Sequence, residues 1–304
     1  MDSLTSAVKI PILVGPTGVG KSEIAGRLAI RHGFEIISAD AFQVYQGMEM
    51  GTAQPDKELQ GKVKHHLVGV RKAQESWNAV QFATSAKKII AAEKSKKFLI
   101  VGGAGFYIRA LVEGPPQGTA PSPEVRSMVA EKVLELGPEK AHEWLASRDA
   151  LAAQRLDVQD TRRVGRALEK TFETASIKAA YEPLGSANVI FLGLERSREN
   201  LDKLLLKRTQ TMWVQGLLEE TKYLLSLHLP QDHPTLAAIG YAEASAFLAE
   251  KMTEAEALER IFRRTRQYAK RQWTWFKHQH DVEWLNLDDF PTMDAAVQKL
   301  SEKL

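Results

Sequence analysis

Residues 8–26, "VKIPILVGPTGVGKSEIAG", constrain the fold of this chain more than any other stretch. An apolar run leads into Gly15, Pro16, Thr17, Gly18, Val19, Gly20, Lys21 and Ser22, which fit the spacing G-x-x-x-x-G-K-[ST]. A strand without polar alternation is buried on both faces, as in a parallel sheet. "SEIAGRLAIRHG" then sets Ile24, Ala25, Leu28 and Ala29 at helical spacing, with Gly33 as the expected C-cap. Glycines let successive backbone N–H groups point inward, and the following helix adds a positive dipole end. Lys21 supplies a point charge to the distal phosphate, and the Ser22 hydroxyl can ligate Mg²⁺. The loop therefore predicts a phosphate site, but not whose phosphates they are.

Further along, "FEIISAD" reads as a second strand ending at Asp40, and "KFLIVGG" as a third ending at Gly102 and Gly103. "WNAVQFATSAKKIIAAEKSK" between them reads as a helix. Repetition of strand, loop and helix predicts an α/β class: a P-loop NTPase-like parallel sheet flanked by helices, with sites at the strand C-termini. Residues 114–123, "GPPQGTAPSP", hold four prolines and are the best candidate linker. From 124 to 182 only helical periodicity is found, and "NVIFLGLER" at 188–196 returns to a buried strand. The expected organisation is an inserted all-helical lobe, 117–186, within a core made of 1–116 and 187–304. Residues 198–280 read as helical and "VEWLNLD" as a last strand.

With 304 residues, 44% hydrophobic and 26% charged, the chain has ordinary globular proportions. It contains no Cys, which excludes disulfides, thiolate zinc sites and cysteine nucleophiles. The first residues, "MDSLTS", lack the basic and apolar regions of a signal peptide, and no apolar run reaches the ~18 residues of a membrane span. A cytoplasmic monomer without a membrane partner is expected.

The net charge of +3 is unevenly placed. Residues 258–280 carry seven Lys/Arg against the single acid Glu259, so this segment is +6 and the remainder −3. Leu258, Ile261, Phe262, Thr265, Ala269, Trp273 and Phe276 form an apolar stripe there, while Arg260, Arg263, Arg264, Gln267, Lys270, Arg271 and Lys277 lie on the other sides. So basic a helix predicts a polyanionic partner. A second cluster, Arg162, Arg163 and Arg166, falls within the helical lobe, where it fits either a lid over phosphates or a nucleic-acid contact.

Nucleotide-hydrolysing proteins with this loop hold Mg²⁺ with an Asp after a later apolar strand. Here "FLIV" ends in glycines, and the acid nearest the loop is Asp40, able to act as metal ligand or general base. The pair His65 and His66 has no ligand spacing around it and is expected to be structural. On the residues alone, a nucleotide or small-molecule kinase and a nucleic-acid-modifying enzyme both stay open.

The stretches "GPTGVGKS", "SADAFQVYQGMEMGTAQP", "KHHL", "GGAGFYIRAL", "DVQDTRRVGRALE", "IGYAE" and "RRTRQYAKRQWTWF" run in one order from about residue 12 to 276. Together they resemble the bacterial tRNA dimethylallyltransferases. That resemblance implies transfer of a dimethylallyl group from dimethylallyl diphosphate, assisted by Mg²⁺, to the exocyclic amine of the adenosine 3′ of the tRNA anticodon. By similarity Gly15–Ser22 binds the diphosphate with Ser22 at the metal, Asp40 is the general base, and Lys21 and Arg208 stabilise the departing pyrophosphate. Positions implied for the tRNA anticodon stem-loop are Asp40, Ala41, Phe42, Gln43, Ala104, Arg126, Arg162, Arg163, Arg166, Ala237, Gly240, Tyr241, Lys270, Arg271, Gln272 and Lys277. Ala104 stands where the family usually has Thr, Ala41 where Ser is common, Lys64 where Pro precedes the histidines, and Ala242 where Lys or Arg follows Gly-Tyr. These departures bear on the tRNA side of the site and leave the diphosphate side intact.

Overall fold

The computed structural model describes residues 9–114, 121–172, 182–230 and 233–304. Most of the proline-rich stretch expected as a linker, and residues 173–181 of the helical reading, lie outside these. The chain divides into two compact units, one formed by 1–115 with 181–304 and the other by 116–180.

The first unit is built on a six-stranded, wholly parallel sheet of order β3-β2-β4-β1-β5-β6. Its strands are β1 (Ile10–Val14), β2 (Phe34–Ala39), β3 (His65–His66), β4 (Lys97–Gly102), β5 (Val189–Glu195) and β6 (Val282–Asn286). Parallel strands need crossovers, and the helical stretches supply them. Around the sheet and beyond it lie α1 (Lys21–His32), α2 (Glu49–Thr52), α3 (Lys57–Lys62), α4 (Ala79–Ala92), α5 (Gly105–Glu113), α9 (Arg198–Met212), α10 (Leu218–Ser226), α11 (Pro234–Ala237), α12 (Tyr241–Leu248), α13 (Glu254–Gln279) and α14 (Met293–Ser301). The second unit contributes α6 (Pro123–Arg148), α7 (Ala150–Gln154) and α8 (Thr161–Lys170).

The apolar runs explain the sheet. Ile12, Leu13 and Val14 of β1 are fully buried because helices cover both faces, and the core divides accordingly. One cluster joins Ile12, Val14, Ile37, Ile100, Phe82 and Phe276, while the other joins Leu13, Leu28, Leu99, Leu192 and Leu300. Gly33 caps α1 in the left-handed conformation, φ 71°, as expected.

Three details differ from the sequence reading. The edge strand β3 is only two residues long, too short for periodicity to reveal; it pairs Ile36 with His65 and Ile37 with His66. His66 Nε2 lies 2.7 Å from Glu35 Oε2, and His65 Nδ1 lies 2.8 Å from Val63 O. The helical stretch from 198 is broken by a wide turn at Trp213–Leu217, where Gly216 adopts φ 143°. Residues 182–184, read as part of the lobe, run with the sheet unit: the Leu184 N–H donates to Leu111 O, and its side chain joins the core around Phe191. The second unit has its own small core of Val129, Ala141, Leu145, Ala153, Val164 and Leu168.

Candidate active site

The loop after β1 is shaped by three positive-φ glycines, Gly15 at 148°, Gly18 at 79° and Gly20 at 114°. At Gly15 the backbone passes so close to Leu194 O that any side chain would collide with it. The loop is braced from behind. Val19 is fully buried and its carbonyl accepts from Arg196 Nε at 3.1 Å, while Arg196 Nη1 meets Asp288 Oδ1 at 2.7 Å. Burial opposes the charge on Asp288, but hydrogen bonds from the Ser197 N–H, Asn200 and Arg196 outweigh it and hold the carboxyl down to about 2.

A second brace comes from the far end of the chain. Gln272 on α13 is buried; its Oε1 accepts the Thr17 N–H at 2.8 Å, and its Nε2 donates to Gly103 O at 3.1 Å. The side chain thus bridges the loop after β1 and the loop after β4. This explains the glycine at 103, since a Cβ there would strike the Gln272 amide.

In front of the loop lies a cavity of about 670 Å³, lined by Thr17, Gly18, Gly20, Lys21, Ser22, Asp40, Gly103, Arg208, Tyr268 and Gln272 among others. Lys21 Nζ donates to Gly15 O and Pro16 O, each at 2.9 Å. Burial pulls its ammonium down to about 7; Asp40 opposes that fall and Arg208 adds to it. The Arg208 guanidinium is likewise depressed by burial and supported by Asp40. Lys21, Arg208 and Asp40 therefore share a cavity, and a bound polyanion would relieve the cost of desolvating the two cations. Tyr268, also on the wall, is pushed upward by burial and by Asp40, so it stays neutral at physiological pH.

Asp40 is placed by a turn of its own making. Its Oδ1 accepts from the Phe42 N–H at 2.9 Å and the Gln43 N–H at 3.2 Å, just beyond β2. Its Oδ2 has no hydrogen-bond partner among the described residues. The Gln43 side chain is held by Ser38 Oγ at 2.8 Å and by the carbonyls of Thr52 and Ala53. The Ala104 N–H donates to Ala39 O at 3.2 Å, which sets the start of α5 beside the Asp40 turn.

Not all expected site positions face outward. Gly15, Pro16 and Val19 shape the phosphate loop from behind rather than line the cavity. Gln272, Gly240 and Tyr241, implied as tRNA contacts, are buried. Gly240 starts α12 at φ 96° with its N–H held by Glu243 Oε2, and the Tyr241 hydroxyl donates to Glu220 Oε2 at 2.7 Å. Tyr241 and Gln272 turn inward onto polar partners, and Gly240 is held through its backbone. Ala237 is exposed, but its carbonyl accepts from Arg264. In the second unit Arg126, Arg162, Arg163 and Arg166 are exposed, Arg163 lying 3.4 Å from Asp160 and Arg166 2.7 Å from Glu169.

The basic helix is less uniformly available than its charge count suggests. Arg260 and Arg264 converge on the buried Glu243, and Arg266 pairs with Asp202 at 3.0 Å. Lys270, Arg271 and Lys277 remain exposed, Lys277 lying over the Trp273 ring at 4.5 Å.

Charge pattern and spacing could not have revealed the Gln272 bridge or the Arg196–Asp288 brace, because both join residues far apart in the chain. Arg208, too, was marked only by resemblance; nothing in "LLLKRTQTM" singles it out.

Fold and cavity define a P-loop-like α/β protein with a pocket at the strand ends that brings Lys21, Arg208 and Asp40 together. The family described as IPP transferase matches residues 43–279. Among similar proteins, tRNA dimethylallyltransferase 2 of Geotalea daltonii is 35% identical over 297 residues, covering 95% of this chain and 90% of that one. The tRNA dimethylallyltransferase of Anoxybacillus flavithermus is 35% identical over 300 residues, covering 96% and 94%. The crystal structure of the full-length tRNA isopentenylpyrophosphate transferase of Bacillus halodurans superposes with a TM-score of 0.71 at 32% identity, covering 97% of this chain and 94% of that one. The chain belongs to the IPP transferase family.

Proposed function

We propose that this protein transfers a dimethylallyl group from dimethylallyl diphosphate to the exocyclic amine of the adenosine 3′ of a tRNA anticodon. Membership of the family makes it a prenyl-transferring enzyme that modifies tRNA. The observation that carries the finer reading is the convergence of Lys21, Arg208 and Asp40 on one cavity beside the glycine loop.

The chemistry follows from where charge moves. The amine nitrogen forms a bond to the allylic carbon while the carbon–oxygen bond to diphosphate breaks, its electron pair leaving with the pyrophosphate. Lys21, Arg208 and the loop N–H groups stand where that negative charge grows, which lowers the barrier electrostatically. The amine must also lose a proton, and the unpartnered Oδ2 of Asp40 is the acceptor positioned for it. An exocyclic amine is a poor nucleophile, so a carboxylate fixed by its own turn matters more than its basicity alone.

For a metal the donor set is sparse. Ser22 and Asp40 line the cavity, and the described residues contain no group of three or more His, Asp or Glu suited to an ion. That fits Mg²⁺, which keeps several waters and takes substrate phosphate oxygens, and it fits zinc poorly. Ser22 would hold the ion, which when bound supplies further positive charge to the diphosphate.

The test is to incubate the protein with Mg²⁺, dimethylallyl diphosphate and unmodified tRNA, then digest and weigh the nucleosides. One adenosine in the anticodon loop should gain a prenyl unit. Absence of product on every adenosine-bearing anticodon arm would overturn the proposal.

A further inference from the structure

Phe106 is 65% exposed, among the most exposed aromatic side chains in the described residues. It stands in the first turn of α5 with its ring against Trp275 of α13, centroids 4.3 Å apart and planes tilted by 47°. Trp275 is anchored by packing on the core cluster that contains Phe276 and Ile108. Its indole lies so close to α5 that Gly105 has no room for a side chain. The pair is thus a rigid aromatic base with one open ring face.

Its position gives that face a use. The start of α5 is hydrogen-bonded to Ala39, the residue before Asp40, so Phe106 stands two residues beyond a contact at the cavity. On α13, Arg271 precedes Trp275 by four residues and so shares its helix face, exposed to solvent. An open aromatic ring packed on a helix face that also carries an exposed cation is a pairing that recognises single-stranded nucleic acid, the ring stacking on a base and the cation meeting phosphate.

Resting on the RNA-acceptor reading above, we propose that Phe106 is a stacking platform for a nucleotide that flanks the modified adenosine. When that adenosine leaves the anticodon-loop stack, its neighbour loses a stacking partner, and the Phe106 ring replaces it. Arg271 then lies toward the adjoining phosphate. Phe106 binds and orients RNA and takes no part in bond making.

The experiment compares the parent protein with Phe106→Leu, which keeps the apolar contact on Trp275, and Phe106→Tyr, which restores an aromatic face. Binding is measured to an unmodified anticodon-arm RNA carrying 2-aminopurine beside the acceptor adenosine. Loss of one stacked base predicts RNA binding weaker by between about 5- and 150-fold in Phe106→Leu. The 2-aminopurine should be brighter in that complex than in the parent complex, and Phe106→Tyr should restore both readouts. Binding of inorganic pyrophosphate should be unchanged in both variants. If the parent binds RNA and Phe106→Leu matches it, the platform is overturned while the function stands. Weakened pyrophosphate binding in Phe106→Leu would make the residue structural and also overturn the platform. If the parent itself binds no anticodon arm, the RNA-acceptor reading falls with it.

Discussion

Two sets of cations in this molecule differ in what surrounds them. Lys21 and Arg208 are half-buried in the cavity with Asp40, and desolvation lowers the pKa of both. Arg162, Arg163 and Arg166 of α8, like Lys270 and Arg271 of α13, stand in solvent. In water their attraction for an anion is weakened by salt beyond about 10 Å, but summed over several charges it still gathers a polyanion. In the cavity the same charge acts in a low dielectric, at high cost when unmatched and with large effect when phosphate arrives. One set is suited to binding and the other to chemistry.

The largest test of that division is Asp40→Asn. Asparagine keeps an oxygen for the Phe42 and Gln43 N–H groups but removes the base. Turnover should fall by about 10²–10⁴-fold with tRNA affinity little changed, read as kcat against Kd. A comparable fall in affinity would break the division. Arg208→Ala should cost about 10²–10³-fold in kcat, again without a matching change in tRNA binding.

Gln272→Ala probes the loop's support. It leaves the Thr17 N–H and Gly103 O without their partner, a loss of about 1–3 kcal/mol. Thermal unfolding should move down, and the KM for dimethylallyl diphosphate should rise. Unchanged values of both would remove the bridge from the account.

The pH behaviour of Lys21 sharpens the buried side. A lysine lowered to about 7 in the folded chain penalises folding fully below pH 7, and the penalty fades as pH rises toward the lysine's ordinary 10.5. Lys21→Met should therefore raise thermal stability relative to the parent more at pH 6.5 than at pH 9.5. At pH 8.5 the parent should also take up nearly one proton on binding pyrophosphate, seen by calorimetry in buffers of different ionisation heat, whereas Lys21→Met should take up about one fewer. Equal uptake by both proteins would count against desolvation of Lys21.

The smallest effect is on the exposed side. Replacing Lys270 and Arg271 with Gln should weaken tRNA binding several-fold at low salt and lessen its dependence on log[salt] by roughly 1.4–1.8. A kcat change larger than the binding change would blur the contrast between the two sets.

Much of this was legible in the chain. The apolar run into a glycine loop, the two later strands and the helices between them required a parallel sheet, because their patterns depend only on neighbours in sequence. Asp40 could be picked out as the acid nearest the loop, since the strand it follows lies beside the glycine-ended strand in such a sheet. The edge strand at His65 was hidden by its length, and the broken helix at Trp213–Leu217 by the lack of any strong local breaker but Gly216.

What the chain order could not decide was which polar side chains turn inward. Arg260 and Arg264 look like their exposed neighbours in the sequence, yet Glu243 draws them into a buried network. Gln272 follows Lys270 and Arg271 and was marked by resemblance as a tRNA contact, yet it braces the glycine loop from 255 residues away. The sequence alone settled the main strands, the helices between them and the glycine loop after β1, because local pattern carries that information. Only the tertiary structure decided which charges are desolvated and which stay in solvent, because desolvation depends on neighbours brought together by the fold.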